Sequence, residues 1–308
     1  MRAPPSRIPD CSRSRPISID IDVRYKYPYD WRSILRFYQS HSVPGVERVT
    51  DDSLARAFQI KRTIGSVRIR ALAGKPRLKV RIIPNDPGIV PEALSRVRKM
   101  FDLDCDPALI AKSFASIPLL AELCRRFPGL RLPRGWDPFE TAVCSILGQL
   151  VSAPQRAHLI GQLVSHYGEE IADPSSGQTT RLFPRAEALA RSDLSAIGTT
   201  AARREAIREF SRRVLNGAIS LSEKQDPAAF RKSLLEIRGL GPWSAEYISL
   251  RALGDTDAFP KTDLILRRVL DLHPDPDLTR IKPWRSYAAI LWKQFAATLT
   301  KTRKAKTA

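Results

Sequence analysis

The stretch from Leu234 to Leu270 carries the residues best suited to chemistry. Within it, Gly239-Leu240-Gly241 follows a helix predicted to end near Ile237, and Pro242 can begin the next helix. Two glycines at this spacing allow a sharp turn that exposes N–H groups at a helix N-terminus, where a phosphate or another anion can bind. Ordinary helix–turn–helix corners share this pattern. The turn alone therefore leaves both interpretations open.

A carboxylate, Asp263, stands 22 positions after Gly241, where a helix carrying Leu264, Ile265 and Val269 is predicted to begin. The helix dipole stabilises a carboxylate at a helix start in its ionised form, which is the form needed to stabilise a positive charge. Such a residue commonly does no more than cap the helix. Capping is the simpler interpretation when Asp263 is considered alone.

The charge of the chain favours a polyanionic partner. Its 308 residues contain 51 Lys and Arg against 32 Asp and Glu, a formal net charge of +19. An excess of this size attracts nucleic acid through electrostatic steering and counterion release. Binding to a membrane surface and simple solubility are the alternatives that charge leaves open. No stretch is long and apolar enough to span a membrane.

The cysteines and histidines exclude several classes of site. The four cysteines include no C-x-x-C pair, and the four histidines form no H-E-x-x-H motif. This spacing argues against a disulfide framework, a zinc site and an iron–sulfur cluster. The basic, proline-rich N-terminus lacks the apolar core of a secretory signal. We therefore expect a cytoplasmic, nucleoid-associated protein with reduced cysteines.

The elements that position these residues fall into two groups. Residues 66–72 and 78–82 alternate apolar and basic side chains around a turn at Gly74-Lys75, which predicts a β-hairpin. Short helices are predicted from Trp31 and from Pro91. The rest of the chain shows helical periodicity, with a helix start at Asp137, whose Glu140 fits a capping box. The boundary before the next helix is predicted near Ser152, and an amphipathic helix is predicted over 201–215.

The sequence thus predicts an α+β fold, in which a small N-terminal antiparallel-sheet domain precedes an all-α domain. We expect a flexible basic arm at 1–18, the α+β domain at 19–112, the helical domain at 113–300 and a disordered basic tail at 301–308. A monomer is the default expectation.

Several motifs in order identify a family. The glycine turn followed by Asp263 resembles the helix-hairpin-helix–Gly/Pro–Asp motif of base-excision glycosylases. From Tyr25 to Trp292 the chain resembles the AlkA-type 3-methyladenine DNA glycosylases. The segments that carry this resemblance, besides the hairpin, are Tyr29-Asp30-Trp31, Phe101-Asp102-Leu103 with Cys105, residues 128–133, residues 146–152 and residues 282–287. Pro154 and the spacing from Tyr287 to Trp292 depart from the family pattern.

The resemblance implies roles for individual residues. It makes Asp263 the catalytic carboxylate, which would stabilise the oxocarbenium-like sugar as the glycosidic bond breaks. Trp243 stands where bifunctional relatives carry a nucleophilic lysine, so strand-cleaving lyase activity is not expected. Trp243, Tyr247 and Phe37 would line the base pocket and attract a cationic alkylated base through their ring faces. For Phe37, ordinary core packing is an equally good interpretation.

Further roles concern the DNA. The resemblance implies that Leu150, with Gln149 beside it, fills the gap left by a flipped-out base. Without the resemblance, Leu150 would be interpreted as a core leucine. Gly239, Leu240 and Gly241 would hold a DNA phosphate. Backbone carbonyls of Leu235, Ile237 and Gly239 would hold a monovalent cation. No cofactor is required.

The resulting hypothesis is a monofunctional glycosylase that acts on alkylated purines in double-stranded DNA and leaves an abasic site. Two alternatives stay open: a glycosylase for oxidised bases, and a hairpin protein that binds DNA without catalysis. The hypothesis further expects Asp263 to face a cavity beside the glycine turn without an internal ion pair, since such a pair would occupy the catalytic carboxylate.

Overall fold

The fold was determined from a computed structural model that describes residues 17–272 and 277–306, with side chains as far as residue 298. The predicted arm at 1–18 lies outside the described residues except for its last two positions. Among the described residues, no helix is both long and apolar enough to cross a membrane. Cys105, Cys124 and Cys144 are unpaired, and Cys11 lies outside the described residues.

The N-terminal part contains a five-stranded antiparallel sheet with the strand order β1-β5-β4-β3-β2. Its strands are β1 (Ile19–Arg24), β2 (Glu47–Val49), β3 (Ser53–Ile60), β4 (Thr63–Ala71) and β5 (Arg77–Pro84). The predicted hairpin is confirmed: β4 pairs with β5, so that Ile69 lies opposite Val80. Both of these side chains are fully buried, whereas the neighbouring Arg70 is exposed, as alternation on a one-sided sheet requires.

Two helices cover the buried face of the sheet. They are α1 (Trp31–His41), capped by Asp30, and α2 (Val90–Met100), with Pro91 in its first turn. Leu35 of α1 and Val97 of α2 pack with the apolar side chains of the sheet in one core. This arrangement confirms the predicted α+β unit.

The second part is mostly helical. Its helices are α3 (Pro107–Phe114), α4 (Pro118–Arg126), α5 (Pro138–Leu147), α6 (Ala153–Tyr167), α7 (Ala186–Arg191), α8 (Ala201–Leu215), α9 (Pro227–Leu235), α10 (Pro242–Ile248), α11 (Leu264–Leu272) and α12 (Arg285–Lys306). A π-helical segment, Ser249–Leu253, continues α10. These helices form two apolar cores, one around α5, α6 and α8 and the other around α4, α11 and α12.

The all-α description of this part was incomplete. Strands β6 (Glu170–Ala172) and β7 (Thr179–Arg181) form a two-stranded sheet there. Strands of three residues carry too little alternation for periodicity to reveal them. The predicted boundary between the two domains, at residues 112 and 113, falls inside α3. At the other end of the chain, α12 continues through the start of the predicted disordered tail to Lys306. Lysine, arginine and alanine are good helix formers, which explains this continuation.

A buried ion-pair network joins the two parts. Arg56 of β3 donates to Glu47 at 2.6 Å and to Glu140 of α5 at 2.8 Å, and its guanidinium lies 5.1 Å from the Trp136 ring centroid. Asp137 caps α5 as predicted, by accepting from the Phe139 and Glu140 N–H groups. The predicted capping-box role of Glu140 was wrong, because its carboxylate makes a bidentate pair with Arg56 instead.

Candidate active site

The hairpin joins α9 to α10 through a turn in which the two glycines differ. Gly239 has φ +95°, a conformation that favours glycine. Gly241 has φ −98°, so the turn does not require glycine there, contrary to the expectation that both residues serve the turn. A Cβ at Gly241 would meet nothing within 4 Å. The effect of Gly241 is therefore to leave the N-terminus of α10 uncovered.

Gln149 connects this hairpin to the loop that follows α5. Its Nε2 donates to the Gly239 carbonyl at 3.2 Å and to Ser244 Oγ at 2.5 Å. Its own carbonyl accepts from Arg203 of α8 at 2.7 Å. The side chain predicted to contact DNA is thus engaged within the protein, where it braces the hairpin.

Leu150 follows immediately and projects from the surface. Its side chain is 98% exposed, and its φ of +55° lies in the left-handed region that a leucine rarely adopts. Core packing, the alternative interpretation of this residue, is therefore excluded. A large apolar side chain held in solvent by a strained backbone and a braced neighbour indicates a contact surface.

Asp263 lies at the start of α11, as predicted. Its Oδ1 accepts from the Ile265 and Leu266 N–H groups, and its Oδ2 accepts from Trp243 Nε1 at 3.0 Å. The residue is only 8% exposed. Helix capping and a hydrogen bond from Trp243 are thus combined in one carboxylate.

The expectation that Asp263 has no internal ion pair was wrong. Lys293 of α12 donates to Oδ2 at 2.8 Å. Burial alone would raise the pKa of Asp263, but the charge and hydrogen bond of Lys293, together with the Trp243 and Leu266 N–H groups, lower it. The carboxylate is therefore held ionised, and in this arrangement its oxygens are occupied by donors. It can act through its charge, whereas direct contact with a water molecule requires Lys293 to move.

The predicted aromatic residues lie close together. The rings of Trp243 and Tyr247 stack with centroids 4.9 Å apart and planes 10° from parallel. Tyr247 and Phe37 line one cavity, so the structure gives Phe37 a place in a cavity wall as well as in the packing of the N-terminal core. The cavity volume is about 60 Å³, enough for a few water molecules. A base could enter it only if these side chains moved.

Positive charges from the protein already occupy the aromatic faces. The guanidinium of Arg251, in the π-helical segment, lies 4.5 Å from the Phe37 ring centroid and 5.5 Å from that of Tyr247. Lys293 Nζ lies 5.6 Å from the Tyr247 centroid. Although burial opposes it, the charges of Arg251, Lys293 and Arg156 lower the pKa of Tyr247. Phe37 and Tyr247 thus already face protein cations in this arrangement, and attraction of a cationic base by the aromatic rings stays a prediction.

The same charges act on His41. It stacks on Phe37 with ring centroids 4.1 Å apart and lines the cavity. Burial, followed by the charges of Arg156 and Arg251, lowers its pKa to about 3. His41 is therefore neutral at physiological pH.

Trp292 is a core residue. It is 1% exposed and packs edge-on against Phe259. Its neighbour in sequence, Lys293, is the residue that reaches the site.

Sequence reasoning missed Lys293 because nothing in the sequence links it to Asp263, 30 positions away. It also missed Arg251, although a spacing of four residues from Tyr247 places the two side chains on one helical face.

Comparison with known proteins agrees with this architecture. A family model described as the AlkA N-terminal domain matches residues 20–137. "DNA-3-methyladenine glycosylase 2" of Escherichia coli is 30% identical over 278 residues, which cover 88% of this chain and 95% of that protein. The "probable bifunctional transcriptional activator/DNA repair enzyme AlkA" of Mycobacterium tuberculosis is 32% identical over 285 residues. Those residues cover 88% of this chain but 55% of that protein, so the chain spans about half of its length.

A solved structure supports the fold. The 3-methyladenine DNA-glycosylase from Archaeoglobus fulgidus superimposes with a TM-score of 0.73 at 18% identity, over 91% of this chain and 98% of that one. The extent of the match to the E. coli protein establishes the family. The chain belongs to the AlkA-type DNA-3-methyladenine glycosylases.

Proposed function

We propose that this chain is a monofunctional DNA glycosylase that hydrolyses the N-glycosidic bond of flipped-out alkylated bases and leaves an abasic site. The observation that carries the proposal is the ionised, buried Asp263, hydrogen-bonded to Trp243 beside the glycine hairpin. A protein that only bound DNA could cap α11 with an uncharged residue, because a carboxylate beside the hairpin opposes binding of the phosphate backbone. The substrates are proposed to be purines of the 3-methyladenine type.

The chemistry follows from charge. Breaking the bond between C1′ and the base leaves positive charge on the sugar, and a nearby anion lowers the free energy of that transition state. The cationic base departs as a neutral molecule with the electron pair of the broken bond, water adds its hydroxide to C1′, and the remaining proton of the water passes to the solvent. Asp263 contributes its negative charge to this step, and the lowered pKa keeps that charge at neutral pH.

Double-stranded DNA with a damaged base is the proposed partner. The uncovered N-terminus of α10 at Gly239, Leu240 and Gly241 would bind a phosphate without reading sequence. The exposed Leu150 would occupy the gap left by the flipped base, positioned by Gln149. We propose that the protein acts as a monomer on chromosomal DNA in the cytoplasm.

A monovalent cation is proposed at the hairpin. Leu235 is the last residue of α9, and Ile237 and Gly239 follow it, in a region where main-chain carbonyls lose their helical partners. Two of them accept hydrogen bonds, from Leu240 N–H and from Gln149, and each carbonyl oxygen retains a second lone pair. The cation would stiffen the turn. No cofactor enters the proposed reaction.

The test is direct. Duplexes with single defined lesions, among them 7-methylguanine, are incubated with the protein, and free base is measured by chromatography. We expect release by the wild type and none by Asp263→Asn, with binding to the duplex retained. Equal release by the two proteins would refute the role of Asp263. Absence of release by the wild type from every lesion would refute the function.

A further inference from the structure

The outer face of the N-terminal sheet is strongly basic. Helices α1 and α2 cover the opposite, inner face, and the alternation that buries Ile69 and Val80 turns the basic residues that flank them towards solvent. On β1, β4 and β5 the cations of the outer face are Arg24, Arg68, Arg70, Arg77, Lys79 and Arg81. The carboxylates on the same three strands are Asp20 and Asp22. The face therefore carries an excess of positive charge.

The register of the strands places these cations side by side. Arg68 lies opposite Arg81, and Arg70 lies opposite Lys79 on the neighbouring strand. Like charges directly opposite each other destabilise a sheet, and a polyanion bound across both strands offsets that cost. The cations of β5 from Arg77 to Arg81 span about 14 Å. The same length of duplex axis carries about eight phosphate charges.

The carboxylates of the outer face neutralise only part of its charge. Asp20 accepts from Arg81 at 2.7 Å and lies 3.4 Å from Lys79, while Asp22 lies 3.9 Å from Arg77. Among the described residues, the remaining three cations of the face make no ion pair and donate no side-chain hydrogen bond. Their guanidinium groups are therefore available to a ligand.

A cleft at the Arg77 end of the outer face offers a place for an anion. It has a volume of about 370 Å³ and is lined by Arg24, Tyr25, Lys75, Pro76 and Arg77. Three of these five side chains are cationic, and none of the five is a carboxylate. The Tyr25 N–H donates to the Pro76 carbonyl at 3.2 Å, which ties the β4–β5 turn to the end of β1. A phosphate group in the cleft would thus meet three positive charges on a backbone that is already fixed.

The outer face points away from the candidate active site. Phe37 and His41 of α1 line the pocket, and α1 lies on the inner face of the sheet. The hairpin reaches the same pocket through Tyr247 of α10. Helix α1 and the sheet therefore lie between the pocket and the outer face, and DNA held at the hairpin is on the other side of the sheet.

The chemistry of the outer face favours nucleic acid over a membrane. The large apolar side chains that are exposed in the described part of the chain all lie outside β1, β4 and β5. The face thus has no such side chain to insert into a bilayer, as a membrane-surface element requires. Arginine, its most frequent cation, can bind a phosphate through two N–H groups at once.

We propose that the outer face of the N-terminal sheet, together with its cleft, binds the phosphate backbone of a second DNA segment while a first segment is held at the hairpin. The contacts are to phosphates, so this surface does not read sequence. A protein that holds two segments can pass from one to the other without release into solution. The inference goes beyond the proposed glycosylase reaction and does not depend on it.

The test is a binding assay with two duplexes. The full chain is saturated with a donor-labelled duplex that contains one abasic site, and an acceptor-labelled undamaged duplex is then added. Energy transfer measures binding of the second duplex, and analytical ultracentrifugation gives the stoichiometry. We expect one wild-type protein to bind two duplexes. Arg68→Ala/Arg70→Ala should bind the second duplex about tenfold or more weakly at about 0.1 M salt, with a salt slope smaller by about 2.

Two variants serve as controls. Arg68→Lys/Arg70→Lys keeps both charges and should retain most of the affinity for the second duplex. Lys112→Ala/Arg125→Ala removes two charges from exposed side chains of α3 and α4, and neither side chain makes an ion pair among the described residues. It should leave the affinity for the second duplex unchanged.

Three outcomes would overturn the inference. They are binding of only one duplex by the wild type, equal affinity for the second duplex in the double alanine variant and the wild type, and binding of phosphatidylglycerol vesicles by this face without a second duplex. Release of 7-methylguanine is measured in parallel and should be the same in all variants. Loss of that activity in the wild type would refute the glycosylase function and leave the second DNA surface standing.

Discussion

Lys293 Nζ lies 2.8 Å from Asp263 Oδ2, although the two residues are 30 positions apart, with Lys293 in α12 and Asp263 just before α11. The contact arises because α12 packs against α11, whose first turn Asp263 caps. It holds the carboxylate ionised, and the positive charge of Lys293 would oppose the field of Asp263 at a bound sugar. The charges of Asp263 and Lys293 therefore act together at this site.

The Asp263–Lys293 ion pair affects the prediction that the chain has no lyase activity. The resemblance to the family puts Trp243 at the position of the nucleophilic lysine of bifunctional relatives, but Lys293 brings an amine to the same carboxylate. An ammonium that is ion-paired to Asp263 has no free electron pair for attack on C1′. We expect borohydride to trap no covalent complex during turnover, as judged by gel electrophoresis. A trapped complex that disappears in Lys293→Met would identify Lys293 as a nucleophile and contradict the monofunctional assignment.

The indole N–H of Trp243 supports the charge of Asp263. Trp243→Phe should retain the stack on Tyr247 while it removes this donor, and we expect single-turnover base release to slow by about tenfold, a typical effect for a hydrogen bond to a charged group. Trp31→Phe is the control, because it removes an indole N–H that donates to the distant Asp52 carbonyl. Equal rates in the two variants would show that the Trp243 hydrogen bond has no role.

The pH dependence of the rate should reflect the lowered pKa of Asp263. A carboxyl whose pKa is depressed below its ordinary 3.8 stays ionised through the neutral and mildly acidic range. The rate of base release should thus not fall through protonation of Asp263 at any pH above about 4. In Lys293→Met this fall in rate should begin at a higher pH, because the main group that lowers the pKa of Asp263 is lost. Release is measured against Asp263→Asn at each pH to subtract spontaneous loss of base.

Leu150 offers a test of base flipping that is separate from the chemistry. Leu150→Ala should slow release from duplex DNA by about tenfold or more, since filling the gap offsets an unstacking cost of a few kcal/mol. It should have little effect on single-stranded substrate. Because the side chain is 98% exposed, the free energy of unfolding should change by less than about 0.5 kcal/mol. Leu109→Ala, at 48% exposure on α3, is the control. A similar loss on single-stranded and duplex DNA would argue against insertion.

Asp102 predicts a pH-dependent stability. Burial raises its pKa to about 6, against the opposing effects of the Leu132 N–H and the Tyr287 hydroxyl. The folded chain therefore holds more protons than the unfolded chain between the ordinary value of 3.8 and about 6, and stability is lost as the pH rises through this window. An asparagine side chain at this position cannot ionise, and asparagine tolerates the local φ of +51°.

Relative to wild type, Asp102→Asn should thus be more stable at pH 8 than at pH 4, by on the order of 1–2 kcal/mol. Urea unfolding at the two pH values provides the measurement. The same difference in unfolding free energy at both values would show that Asp102 does not titrate in this window.

The sequence by itself determined the local features of this protein. Alternation predicted the β4–β5 hairpin, and capping residues placed the starts of α5 and α11 at Asp137 and Asp263. These predictions succeeded because each depends on hydrogen bonds or side-chain directions within a few residues. Motif order was sufficient to identify the family.

Only the tertiary structure decided how these features meet. It paired Asp263 with Lys293, set Arg251 against Phe37 and turned Glu140 from a helix cap into a partner of Arg56. Each contact joins residues far apart in the chain, and its existence depends on how helices and sheet pack. The charge around the pocket is a property of that packing and of no single segment.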